Sequence, residues 1–77
     1  MSLHNYKKSD IVAIIDTRGL KYQLKENEDH LYFIFDNTDD AWNTLIWLDD
    51  MHPQLSRKAN ACIVSHGSYE NAIEFEL

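Results

Sequence analysis

Cysteine, proline and glycine are nearly missing from this chain: one, one and two residues among 77. A single cysteine, Cys62, cannot close an internal disulfide, so a hydrophobic core must hold the fold. Two glycines, Gly19 and Gly67, are too few and too far apart for a phosphate-cradling loop. No apolar run approaches the roughly 20 residues of a membrane span, and nothing reads as a cleaved signal, so a cytoplasmic protein is expected. Basic residues are absent from the whole stretch 26–50, which holds eight acidic ones.

What remains is apolar enough to fold. Hydrophobic residues make up 44% and aromatic residues 12%, too much for a disordered tail. A 9.1 kDa chain buries roughly 60% of its unfolded surface, which supports one thin core. The polar segment Met1 to Ser9 reads as a partly ordered N-terminal arm, and residues 10–77 as a single domain.

Residue patterning predicts an α+β domain in the order βββαββ, with one amphipathic helix packed on an antiparallel or mixed sheet. The β-branched run Ile11 to Ile15 reads as a first strand, and Gly19 as the positive-φ residue of a following hairpin. Leu20, Tyr22 and Leu24 alternate with Lys21, Gln23 and Lys25, a second strand. Asn27 and Asp29 mark a turn, and Leu31 to Phe35 a third strand, completing a three-stranded meander. The segment Asp36 to Asp40 offers N-caps for a helix from about Asp39 to His52, stopped by Pro53. Its apolar face is assigned to Ala41, Leu45 and Leu48 with Trp42 and Ile46 further round, which puts Trp42 in the core. Trp47 falls nearer the polar Asn43 and Asp50. A polar connector, Gln54 to Asn60, precedes a closing hairpin: Ala61 to Ser65, a turn at His66-Gly67-Ser68, and Tyr69 to Leu77. In the last of these, Ile73, Phe75 and Leu77 alternate with Glu74 and Glu76.

No ligand spacing of a metal site is present, and no cofactor or metal is expected. Cys62 and His66 share a strand parity, yet their α-carbons would stand about 13 Å apart on a regular strand. Cys62, flanked by apolar neighbours, reads as a small core residue. For catalysis, Cys62 with His66 or His52 is the only nucleophile and base pairing, and Ser65, Ser68 and Thr44 stand apart from one another. A non-enzyme is therefore expected, with a small enzyme using Cys62, His66 and His52 as an alternative. His52, at the predicted helix C-terminus, has a simpler role as a cation favoured by the helix dipole.

Charge is the more informative signal. Residues 1–25 carry net +3, residues 26–50 net −8 and residues 51–77 net −1, giving −6 in all. The acidic block covers the third strand and the helix, and a field of that sign speeds encounter with a basic surface. The pattern reads as a small acidic, non-catalytic protein-binding module, a regulator or inhibitor of a basic partner. Its partner-binding residues are assigned as Asp39, Asp40, Trp47, Asp49, Asp50, Glu74 and Glu76. In its sharpest form this is nucleic-acid mimicry, as by a phage or mobile-element antagonist of a nucleic-acid-handling enzyme. Glu74 and Glu76 would stand about 7 Å apart, close to the phosphate spacing of one strand, with Glu70 extending the row. The mirror alternative is direct nucleic-acid binding, with Lys7, Lys8, Arg18, Lys21 and Lys25 along the first hairpin and Tyr6 stacking on a base. The net charge opposes it. No membrane partner is expected, and Tyr69–Leu77 as an edge strand would also permit a homodimer.

Overall fold

A computed structural model describes residues 6–64 and 71–77. Among these residues seven elements follow one another: α1 (Lys8–Asp16), β1 (Tyr22–Glu26), β2 (His30–Phe35), α2 (Thr38–Met51), α3 (Pro53–Lys58), β3 (Cys62–Val64) and β4 (Ala72–Glu76). The four strands form one antiparallel sheet in the order β1-β2-β4-β3. The architecture is α+β, as the patterning implies.

The first element departs from expectation. Ile11 to Ile15 is the body of a helix, not a strand, and there is no three-stranded meander. An apolar run this short satisfies both periods, because Ile11 and Ile15 are also i and i+4. Local chemistry decides for helix: the Asp10 carboxylate accepts the Lys7 backbone N–H at 3.0 Å, closing the first turn. Lys8 and Ser9 therefore belong to α1 and not to an arm, and Tyr6 packs on the core. At the other end the Thr17 hydroxyl donates to the Ile14 carbonyl, and Gly19, at φ +71°, stops the helix. Gly19 has the positive φ foreseen for it, in a helix terminus instead of a hairpin.

From β1 onward sequence and structure converge. The Asn27 side chain accepts the backbone N–H groups of Asp29 and His30, each at 2.9 Å, and turns β1 into β2. In register, Tyr22 faces Phe35, Leu24 faces Phe33, Leu31 faces Phe75, and Phe33 and Ile63 both face Ile73. These residues line one side of the sheet. Phe33 meets Tyr22 and Phe75 edge-on, with ring centroids 4.9 and 5.5 Å away. Ile11 and Ile15 of α1, Ala41 and Leu48 of α2, and Leu55 of α3 complete the same cluster. Gln23, Lys25, Tyr32, Ile34, Cys62, Val64, Glu74 and Glu76 alternate with these residues, and none of their side chains joins it. Among the described residues the helices pack on one side of the sheet only, although Ala72 on the other side is also fully buried. A shortest dimension of 17 Å fits one sheet plus one helical layer.

Helix α2 starts where Asn37 accepts the Asp40 N–H at 2.8 Å. It ends before Pro53, which lacks the N–H the next turn would need and becomes the first residue of α3. The connector after Pro53 is thus helical over Pro53–Lys58 and then turns at Asn60, which adopts φ +48°. Among the described residues no helix is long and apolar enough to cross a membrane.

The closing strands do form a hairpin pair, but β4 lies inside the sheet between β2 and β3. The homodimer edge assigned to Tyr69–Leu77 is therefore not available on β4; the sheet edges are β1 and β3. The predicted turn at His66-Gly67-Ser68 lies outside the described residues.

Candidate functional site

Helix α2 buries Ala41, Thr44 and Leu48 completely. At 100° per residue these three centre near one direction, with Trp42 about 125° away and Trp47 about 95° away on the other flank. This reverses the assignment made from sequence. Trp42 is 49% exposed, and Ile46, one turn further on, is 61% exposed. Trp47 is half-buried and packs against the core, its ring 5.1 Å from His52 with the Arg18 guanidinium 5.4 Å above it. The residue left out of the predicted face was Thr44; counted as buried, it rotates that face toward Trp47.

The outward face of α2 thus presents Trp42 and Ile46 with Asp39, Asn43, Asp49 and Asp50, all exposed. These acids differ in their commitments. The Asp49 carboxylate accepts the Ser56 hydroxyl of α3. Asp40 is tied into the Asn37 cap and is only half-exposed. Asp39 and Asp50 have no hydrogen-bond or ion-pair partner among the described residues. The only ion pair in that set joins Lys8 to Glu26, so the acidic field around α2 is not neutralised by local contacts.

Glu74 and Glu76 belong elsewhere, on the sheet face that the helices leave uncovered. Glu74 is half-buried and accepts the Cys62 thiol at 3.6 Å, and Glu76 accepts the Asn60 side-chain amide at 2.9 Å. They do not join the α2 acids in one patch, and both serve local contacts. Glu70, the proposed extension of that row, lies outside the described residues.

Beside Trp42 runs a groove of about 610 Å³, lined by Thr38, Ala41, Trp42 and Leu45 on one wall and by Ala61 to Val64 with Asn71 on the other. Among the described residues no charged side chain lines it. The Thr38 hydroxyl donates to the Asn71 side-chain oxygen at 2.7 Å, fastening the start of α2 to the start of β4.

The rival sites fare differently. Cys62 is exposed, not a core residue. Partial burial first, and the Glu74 and Glu76 carboxylates next, push its thiol pKa up, which holds it in the less nucleophilic protonated form. His66 lies outside the described residues, and His52 is engaged with Trp47 at the end of α2. The first hairpin assigned to the basic residues does not form, because Ile11 to Ile15 is helical; Lys8 pairs with Glu26 of β1, Arg18 covers Trp47, and Lys25 sits on β1. Family models, curated proteins and solved structures contain no match to this chain.

Proposed function

We propose that the protein is a small acidic, non-catalytic protein-binding module that docks the outward face of α2 on a basic partner and so regulates or inhibits it. The observation that carries this reading is the pair Trp42 and Ile46, exposed one turn apart and framed by Asp39, Asp49 and Asp50. A small domain that spends a tryptophan on solvent gives up about 2 kcal/mol or more of burial, which a partner surface can recover. The carboxylates around it add steering and select against acidic surfaces. A nucleic-acid-handling enzyme, whose working surface is lined with Lys and Arg to meet phosphates, is the partner class with matching chemistry. The single cysteine suits a reducing compartment, and we place the module in the cytoplasm on that ground.

The test is capture of partners from nuclease-treated lysate by the tagged protein, by Trp42→Ala and by the double variant Asp39→Lys with Asp50→Lys. Far-ultraviolet circular dichroism confirms folding of each. The expected result is one basic protein retained by the parent, weakened by salt and lost by both variants. Equal capture by all three, or no specific protein with the parent, would refute the reading.

A further inference from the structure

The two edges of the sheet are built differently. Strand β1 carries Lys25 and Glu26, and charged side chains of this kind guard an edge against further pairing. Strand β3, Cys62-Ile63-Val64, carries neither charge nor proline, and among the described residues it pairs only with β4. The groove beside Trp42 runs along this short, uncharged edge. Ala61, Cys62, Ile63 and Val64 all line it, although successive side chains of a strand point to opposite faces. A groove that touches four consecutive residues runs along the strand, and β3 is an edge of the sheet whose outward backbone N–H and C=O groups are open to a further strand.

We infer that the partner engages this groove with an extended segment that adds a fifth strand beside β3, alternating apolar and basic residues. The inference rests on the proposed docking of a basic partner and specifies the element that docks. The apolar side chains of such a segment face the helical layer, against Trp42, Leu45 and Ile63. Its basic side chains face the uncovered side of the sheet, where Glu74 stands in register with Cys62 on the neighbouring strand. Asp39, beside Thr38 of the groove wall, adds a carboxylate on the helix side. The charge opposes a second copy as the occupant. Pairing β3 with another β3 would bring together two chains of net charge −6, whereas a basic strand lowers the charge it meets.

The test is an NMR titration of the full chain with the capped peptide Lys-Val-Lys-Val-Lys. Two controls accompany it: the same peptide with alternate backbone amides methylated, and Glu-Val-Glu-Val-Glu. The expected result is saturable shifts at the 61–64 amides and the Trp42 indole, slowed hydrogen exchange in β3, and at least about tenfold weaker binding of the methylated peptide. Equal binding of the methylated peptide overturns strand addition and leaves acidic docking standing. Equal binding of the glutamate peptide overturns the requirement for a basic partner and leaves the edge site standing. No shift at 61–64 overturns the inference. So does concentration-dependent dimerisation with shifts at 61–64 in the absence of peptide, because the occupant is then a second copy.

Discussion

Thr44 is the one buried polar residue of the described core, fully enclosed, and its hydroxyl has no hydrogen-bond partner. A hydroxyl left unpaired away from water costs about 1–3 kcal/mol. Thr44→Val keeps the branched shape and places a slightly larger methyl where the hydroxyl stood. The expected gain is about 1–2 kcal/mol, after allowing for a slightly imperfect fit of the methyl. For a domain of this size that raises Tm by about 5–15 °C. In urea the midpoint should rise with an unchanged slope, which identifies a stability change and not a change in compactness. Thr44→Ser is the counterpart: it keeps the orphan hydroxyl and deletes a buried methyl, and should cost about 1 kcal/mol.

The expected order is therefore Val above Thr above Ser. A Thr44→Val protein no more stable than the parent would refute the reasoning, since the hydroxyl must then have a partner, such as the carbonyl one turn earlier in α2. The variant has a further use. Thr44 faces the core, on the side of α2 away from Asp39, Ile46 and Asp50, so it yields a reinforced scaffold with the docking face intact. Binding variants that lower stability can be compared in that background.

Gly19→Ala meets no neighbouring atom within 4 Å, so its cost comes only from the positive φ, about 1 kcal/mol by chemical denaturation. The Tyr22 hydroxyl, pushed from 10.0 to about 12 by burial and by its hydrogen bond to Asp16, favours the folded state while neutral. That contribution is complete below pH 10 and is lost as pH rises through 12. An ultraviolet titration should show a late-ionising tyrosine component that shifts down in Asp16→Asn and loses one tyrosine in Tyr22→Phe. Alkylation of Cys62 at neutral pH should be slower than that of an unstructured thiol and faster in Glu74→Gln, measured by mass spectrometry.

Strands β1, β2 and β4 were legible because each alternates on a period of two against a one-sided core, as Leu31, Phe33 and Phe35 do. Helix α2 was legible from its caps and from Pro53. Ile11 to Ile15 was not, because β-branched residues at i and i+4 satisfy helix and strand alike, and only the Asp10 contact with Lys7 decides. The acidic block was plain in composition, but composition does not say which carboxylates share a surface. That depends on the one-sided sheet, which sends Glu74 and Glu76 away from α2. The exposure of Trp42 turned on a single residue, Thr44, whose hydroxyl the core accepts without pairing.

The division of labour among the acids decides which of them can report on binding. Reversing Asp40 removes a carboxylate from the Asn37 cap, and reversing Asp49 breaks its bond to Ser56, so loss of binding in either would be confounded by loss of helix. Asp39 and Asp50 carry no such bond, and their effects on α2 oppose each other. A lysine at Asp39, in the first turn, works against the helix dipole by about 0.3–1 kcal/mol. A lysine at Asp50, in the last turn, favours it by a similar amount. The double variant Asp39→Lys with Asp50→Lys should therefore fold as well as the parent while changing the charge of the docking face by four units. A Tm within a few degrees of the parent's, with partner capture abolished, assigns the acidic face to binding. A large fall in Tm would mean that one of these two carboxylates has a structural role as well.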